Sequence, residues 1–569
     1  MNFFLDDAAL VATFDRGIPW ERVVRLTEGP AADVAETVAA WREVLSVAGR
    51  FIGTEIAACA REVDALGVVQ EDGQVGMNAP LKRNLRGLAD LGLMGLSLPR
   101  EHGGSGLPFT VTVFVIAMLA RACPSTMVQY AFYTAPAAMI FRSGTDEQRR
   151  RYLPRLARGE IMGAVAMTEP QAGSDIGAIA TTATERDGGW VVEGRKQFIS
   201  AGNGDFVILL ARCIPGSHGL DGLGLFLADR AADNYVVERA EHKFTIRGSP
   251  TCALRFEGTR AELLGTVGEG WHEILSFMNE SRVGVGIQGL GIGTAAFAAA
   301  AAYAKQRIQM GRPIREHPLV AEMLVDMETS LAGVRALITE AAVLQDEVLF
   351  ARDEGSARRL RELTPLVKWY GAEEMIRVCR QALQIHGGYG VVTEYEVERH
   401  MRDSLILPIY EGTSQIQSLM AVRDLMRALL RDPASLLRGG PSPTLARARF
   451  AGPTGRSFAA ARGALVATLR GLTAGLVRRR GLALVRGRRA PTDDEIGPFL
   501  LHAERITETL AHLHAARALA EQARRIPEHA ALASRAAARA RSVAERNARA
   551  VRAGDGGVFA RIRAWEQER

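Results

Sequence analysis

The sequence predicts an α+β protein in four parts: an N-terminal helical domain (1–160), a middle β-barrel-like domain (161–270), a C-terminal four-helix bundle (271–430) and an extra C-terminal helical extension (431–569). Three observations carry this. Apolar residues recur at helical spacing up to about residue 160, and again in longer runs from Gly270. Between those regions the runs become short and β-rich, with turn residues crowding between them. Beyond Asp432 no Asp or Glu occurs until Asp493, while twelve arginines do.

In the first part a 3.6-residue pattern starts near Ala31 and runs towards Glu62. Leu85, Leu88, Leu91, Leu93, Met94 and Leu96 form a second apolar cluster, broken by the Gly- and Pro-rich loop 99–108. Helices are expected over Val111–Arg121 and Met127–Phe141, and a short one opens at Thr145 and ends near Gly159. The middle part offers strands at Gly163–Thr168, Ile179–Thr184, Trp190–Ile199, Phe206–Ala211, Leu223–Leu227, Tyr235–Val237 and Thr251–Phe256, as in a small antiparallel barrel or sandwich. Long helices over Trp271–Gln309, Pro318–Phe350, Leu363–Ile385 and Ile416–Leu430 then make a bundle. In the extension, Leu465–Arg480 alternates apolar and basic faces, and Ala/Arg/Glu-rich helices follow at about 496–525 and 529–553, split at Pro527.

Composition excludes several classes. The chain is 47% hydrophobic and 24% charged, with a net charge of +6, as in ordinary globular proteins. Its five cysteines are scattered and form no CxxC pair, so neither a disulfide framework nor a metal site is indicated. The start, Met1-Asn2-Phe3-Phe4-Leu5-Asp6-Asp7, lacks the basic segment of a secretory signal. No uninterrupted apolar run of about 18 residues appears, so no membrane-spanning helix is expected.

Several short stretches could carry chemistry. Met167-Thr168-Glu169-Pro170-Gln171-Ala172-Gly173-Ser174-Asp175 ends a strand in a turn lined by Thr168, Gly173 and Ser174, whose backbone N–H groups suit an anionic or heteroaromatic ligand. Phe198 and Ser200 are two residues apart and share one strand face, on which a flat ring could lie. Gln384-Ile385-His386-Gly387-Gly388 ends a helix with paired glycines that let backbone approach a ligand; His386 is read as a packed turn residue. Arg307, in Arg307-Ile308-Gln309-Met310-Gly311, can clamp a phosphate. Gly284-Val285-Gly286-Ile287-Gln288-Gly289 matches a dinucleotide fingerprint, but it lies inside a helical pattern and is read as close helix packing. In Leu405–Ile416, Glu411 is a lone carboxylate at a turn with apolar residues on one side, a setting in which a carboxylate becomes a usable base.

These motifs, with Arg247-Gly248-Ser249-Pro250-Thr251 and Tyr410-Glu411-Gly412-Thr413-Ser414-Gln415-Ile416-Gln417, occur in an order that resembles the acyl-CoA dehydrogenase family over roughly residues 31–430. The resemblance implies FAD between the β-domain and the bundle, near a subunit interface. Met167, Thr168, Gly173 and Ser174 would meet it on one side, with Ser174 also near the substrate, and Phe198 and Ser200 would cover the other ring face. Arg307 and Gln309 would bind the pyrophosphate of a neighbouring subunit's FAD, Gln384, Gly387 and Gly388 would lie by its adenosine part, and Thr413 and Gln415 would complete the pocket. Tyr410, Gly412 and Arg282 would face the acyl-CoA thioester. Glu411 would remove its α-proton while hydride leaves the β-carbon for the flavin, with enolate charge stabilised at the carbonyl oxygen. Some members place the base just before the position of Arg282; here Ser281 stands there, and Glu280 is one residue out of register. Met310 replaces the common Phe. The resemblance further implies electron-transfer flavoprotein as acceptor, a homodimer or homotetramer and a role in fatty acid β-oxidation; the scattered cysteines point to a reducing compartment, so a cytoplasmic location is expected. An oxidase-type enzyme that reacts with O₂, or a binding flavoprotein with vestigial catalysis, are the alternatives.

The extension departs from the short members, which end near residue 430. The very-long-chain members carry a tail of similar size that contacts membranes, and this likeness in layout suggests a peripheral membrane contact through 433–492. A nucleic-acid contact, as in the alkylation-response branch, stands behind it. The third reading is a solvated arginine-rich helical domain packed on the core.

Overall fold

The computed structural model describes residues 1–71, 74–230, 234–480, 493–554 and 557–567. The chain opens with α1 (Ala8–Ala12), α2 (Trp20–Thr27), α3 (Val34–Phe51) and α4 (Ala57–Leu66), the last two joined by one π-helical turn, Ile52–Ile56. A hairpin of β1 (Val68–Glu71) and β2 (Gln74–Met77) follows, which the helical reading of this domain had not anticipated. Then come α5 (Ala79–Asp90), α6 (Phe109–Ala122), α7 (Pro124–Ser143) and α8 (Asp146–Ala157). α8 starts where expected because Thr145 and Gln148 cap each other's backbone N–H groups. α6 is capped from far away: Asp346 accepts from the Phe109 and Thr110 N–H groups at 2.7 and 2.9 Å.

The middle strands are β3 (Gly163–Ala166), β4 (Thr182–Arg186), β5 (Gly189–Ser200), β6 (Phe206–Arg212), β7 (Leu223–Asp229), β8 (Val236–Ala240) and β9 (Thr251–Leu264). The order β3-β6-β4-β5-β9-β7, with a further β6–β7 pairing, closes the sheet on itself, as a barrel requires. It is mixed rather than antiparallel throughout: β3 runs parallel to β6, because the chain crosses over between them instead of turning back. Phe226, Leu209, Val192 and Phe256 fill one core, while Ile208, Leu210, Leu225 and Leu227 face the other way and pack with helical residues.

The bundle consists of α9 (Gly270–Gln306), α10 (Pro318–Ala351), α11 (Glu354–His386), α12 (Val397–Ser404) and α13 (Ser414–Arg431). A short hairpin of β10 (Ile308–Gln309) and β11 (Arg312–Pro313) links α9 to α10. The four predicted long helices are present, and α12 is a fifth, short one that lacked a distinct periodic run. The Gly284–Gly289 stretch does pack helices closely. A Cβ on Gly289 would lie 2.1 Å from the Gly371 carbonyl oxygen, and one on Gly286 2.7 Å from Val367. α9 is long and apolar enough to cross a membrane by composition, but it is mostly buried inside the molecule.

The extension contains α14 (Pro443–Arg447), α15 (Gly452–Arg480), α16 (Asp493–Leu501), α17 (Ala503–Gln522), α18 (Ala530–Arg552) and α19 (Val558–Gln567). It shares one continuous core with the bundle: Leu510, Leu513, Leu519 and Ala540 are buried in the same cluster as Val334, Tyr370 and Met375. Its arginines meet acids on α10 and α11. Arg539 pairs with Asp326 and, at 3.4 Å, with Glu374; Arg535 pairs with Glu322, and Arg517 with Glu340. The apolar side of α15 (Phe458, Ala461, Leu465, Leu469, Leu476) is likewise turned inward. The apolar side of the alternation expected over Leu465–Arg480 is thus packed as far as it is described; the side chains of 478–480 and all of residues 481–492 in the proposed membrane segment lie outside the described residues. The N-terminal residues join the same body through an aromatic cluster of Phe4, Phe14, Trp20, Trp41 and Phe114, and through Arg16 and Glu528 at 3.0 Å.

Candidate active site

A cavity of about 180 Å³ lies between α6, α7 and α9, with Glu411 and Ser200 on its wall. Its lining is mainly apolar, from Phe109, Ile116, Met127, Val128, Tyr130 and Phe277. Small residues keep it open: Ala131, Ala135 and Ala138 recur on one side of α7, and Gly284 has nothing within 4 Å of the place a Cβ would occupy. An apolar slot with a few polar groups, Glu411 and Ser200 among them, suits a chain with a polar head.

Glu411 is held there by an unusual backbone. It has φ +56° without being glycine, and Gly412 follows at +82°. Two left-handed residues in a row turn the chain sharply between Pro408 and the start of α13, a conformation that costs free energy and recurs at functional sites. The turn is secured by the Ser414 N–H donating to the Pro408 carbonyl (2.9 Å) and by the Gln417 side-chain amide donating to the Glu411 and Gly412 carbonyls (3.1 and 3.2 Å). Ser281 donates its hydroxyl to the Glu411 carboxylate at 2.6 Å. Among the described residues no protein acceptor takes the Glu411 N–H, which leaves a donor at the turn for a ligand oxygen. Glu280 also reaches the cavity but is engaged by Arg142 and, at 2.9 Å, by Gln345. Burial pushes its carboxyl up against the pull of Arg142.

Tyr410 donates its hydroxyl to the Gln288 side-chain carbonyl and lines the cavity. Arg282 lies close enough to Glu411 for that carboxylate to oppose the lowering effect of burial on its guanidinium. It is buried off the cavity wall and donates to Asn279 at 3.0 Å. Lys368, which the sequence reading passed over, is wholly buried on α11, and its ammonium group finds no acceptor among the described residues. Burial lowers it to about 8, against the pull of Glu373 and Glu411.

The turn after β3 is built on a buried ion pair. Lys196 reaches Glu169 at 2.8 Å and the Met167 carbonyl at 2.9 Å, and Glu169 also accepts the Ala180 and Thr181 N–H groups. This leaves Thr168, Gly173 and Ser174 at the surface of the turn, with Gly173 beside the Thr168 methyl. Phe198 sits on a β-bulge with φ +60° and is 62% exposed. An aromatic ring held out of a barrel by a left-handed backbone, next to Ser200 at the cavity, forms a platform that a planar ring system would cover. These residues therefore fit a flavin.

The remaining predicted residues form a second, outward group. Arg307 lies 5.9 Å over the Tyr389 ring, and Gln309, Gln384, Gly387 and Gly388 are exposed on the same side. Gly387 closes α11 with φ +60°, and neither glycine has any atom within 4 Å of a would-be Cβ, so the backbone there is open to a ligand. Met310 at the tip of the β10–β11 hairpin is 92% exposed. Thr413 caps α13 by accepting the Ile416 N–H at 3.2 Å, and Gln415 is exposed, with Glu504 of the extension 3.5 Å from its amide.

The chain matches three family profiles in succession: acyl-CoA dehydrogenase, N-terminal domain over 40–160, middle domain over 164–259 and C-terminal domain over 268–426. It is 34% identical over 340 residues to the acyl-CoA dehydrogenase of Bacillus subtilis, covering 59% of this chain and 87% of that protein. It is 33% identical over 341 residues to the caffeyl-CoA reductase-Etf complex subunit CarC of Acetobacterium woodii, covering 58% and 86%. Among solved structures, the fold matches the acyl-CoA dehydrogenase complexed with FAD from Bacillus anthracis with a TM-score of 0.76 at 24% identity, over 90% of this chain and 88% of that one.

Proposed function

The chain belongs to the acyl-CoA dehydrogenase family, and from that premise we propose that it converts an acyl-CoA thioester to the trans-2-enoyl-CoA, with Glu411 as the base that takes the α-proton. As a member it is an oxidoreductase, and FAD is its cofactor. The observation that carries the proposal is the position of Glu411: a carboxylate on a strained turn at the polar end of an apolar slot, with an unpaired N–H beside it.

The acyl chain lies in the slot between α6, α7 and α9, where apolar walls exclude water from the reacting carbons. The Ser281 hydroxyl fixes the direction of the Glu411 carboxylate and leaves its other oxygen to accept the α-proton. The Glu411 N–H is the available donor for the thioester carbonyl, whose oxygen gathers charge as that proton leaves. Met167, Thr168, Gly173, Ser174, Phe198 and Ser200, with Thr413 and Gln415, are the residues that would hold the cofactor. Bound there, FAD supplies the acceptor for the β-hydride. Arg307, Gln309, Gln384, Gly387 and Gly388 face outward in one chain, which supports a homo-oligomer in which they serve the cofactor of a neighbouring subunit. Electron-transfer flavoprotein is the proposed acceptor, by analogy with the complex to which the CarC relative belongs.

The test is an anaerobic titration of the yellow holoenzyme with acyl-CoA thioesters of graded length and branching. Bleaching of the flavin band by at least one is expected, followed by recovery on adding electron-transfer flavoprotein. No bleaching by any thioester would reject the proposal, and rapid recovery with O₂ alone would point to an oxidase.

A further inference from the structure

A cavity of about 920 Å³ lies away from Glu411, in a groove where the extension closes over the bundle. α11 and α13 form one wall, the segment 441–450 and α17 the other. Its volume is at the upper end of small-ligand sites. The floor is apolar: Pro365, Leu366, Ala421, Leu425 and Leu510. Nine arginines line it against three carboxylates. Arg361, Arg431 and Arg447 are exposed and pair with no carboxylate among the described residues. Arg517 is buried at the groove, and although its terminal nitrogens bind Glu340 and Glu521, its Nε–H has no acceptor among the described residues. Arg358, Arg359, Arg427 and Arg517 meet carboxylates, which leaves the exposed Arg361, Arg431 and Arg447 as the cluster that an anion would relieve, and an apolar floor beneath it favours a chain over a bare ion.

We propose that this groove binds one molecule of a phosphate-bearing amphiphile, with the phosphate among Arg361, Arg431 and Arg447 and the acyl chain along Leu366, Leu425 and Leu510. The shared chemistry is a phosphomonoester or diphosphate joined to an acyl chain, which a lipid headgroup and a CoA thioester both present. Binding here does not depend on the role given to Glu411.

Calorimetric titration of the FAD-loaded full chain with oleoyl lysophosphatidic acid, kept below its micelle threshold, tests it. Saturable binding at one site per chain is expected. Oleoyl lysophosphatidylcholine, whose phosphate is neutralised by choline, and inorganic pyrophosphate, which lacks the chain, should each bind at least tenfold more weakly. The triple variant Arg361→Glu, Arg431→Glu, Arg447→Glu changes exposed side chains only and should lose at least tenfold in affinity while keeping wild-type acyl-CoA turnover. Ala428→Trp, which fills the groove from α13, should do the same. Palmitoyl-CoA titrated into Glu411→Gln separates the sources: two sites per chain, one of them lost in the triple variant, identify a CoA thioester as ligand, whereas one site unaffected by that variant identifies a lipid phosphate. Equal affinity for the choline lipid, binding of pyrophosphate as tight as that of the amphiphile, binding to anionic vesicles alone, or unchanged affinity in both groove variants would overturn the proposal.

Discussion

Glu374 on α11 is where the extension is fastened to the bundle, and replacing it by Gln tests that junction quantitatively. Burial pushes this carboxyl up, but His512, Arg377 and Arg539 outweigh that effect and hold it at about 2, against an ordinary 4.5. Arg377 is 2.9 Å away, Arg539 3.4 Å and His512 3.6 Å, and the Ser330 hydroxyl donates at 2.8 Å. A gap of about 2.5 pH units, at about 1.4 kcal/mol each, makes the ionised form worth about 3 kcal/mol to the folded state. Because the folded value is the lower one, this contribution is complete above pH 4.5 and is lost as pH falls towards 2. Glu374→Gln keeps the shape and removes the charge. At pH 7 it should lower stability by about 3 kcal/mol, read as a drop in the urea midpoint, and proteolysis near 449–453 should speed up as the extension loosens. The variant's decline in stability between pH 4.5 and the acid limit should be smaller than the wild type's by about the same 3 kcal/mol, the rest coming from other depressed carboxyls such as Asp326, Glu169 and Glu396. A urea midpoint within error of the wild type at pH 7, or the same acid decline in both proteins, would refute the reasoning.

Two further substitutions probe the site. Lys196→Met leaves the Glu169 carboxylate buried without its cation, which costs about 3–5 kcal/mol; because that pair shapes the Thr168–Ser174 turn, FAD content after gel filtration should fall well below one per chain, and full occupancy would show that the turn does not depend on the pair. Ala135→Phe places a ring in the roughly 180 Å³ slot. Excluding two to three methylenes at about 0.8 kcal/mol each lowers kcat/KM for the longest accepted thioester by roughly 10- to 60-fold while a four-carbon substrate is spared; equal losses for both would place the chain elsewhere.

The order helices, barrel, helices was legible because periods of 3.6 and 2 are written locally, and so was the start of α8, where Thr145 and Gln148 stand three apart. Glu411 was legible as a residue, through the company of its motif, but its strained φ and its partner Ser281, 130 positions away, were not. The parallel β3–β6 pairing, the Asp346 cap on α6 and the Glu169–Lys196 pair all join residues distant in the chain and leave no local pattern. The β1–β2 hairpin did carry a signal, Asp72-Gly73 between two short runs, that helical periodicity nearby overshadowed. The extension's positive charge was visible, but the acids that Arg517 and Arg539 meet, Glu340, Asp326 and Glu374, are spread over α10 and α11, so the docking of α17 and α18 left no local pattern.

Glu411 is the centre of the proposed chemistry, and the direct measurement is stopped-flow absorbance of the flavin when the anaerobic holoenzyme of Glu411→Gln meets an acyl-CoA that bleaches the wild type. The variant should retain FAD and bind the thioester, and its bleaching rate should fall by at least about 10²-fold, the contribution of a positioned general base. Bleaching at the wild-type rate would contradict the assignment of Glu411 as the base.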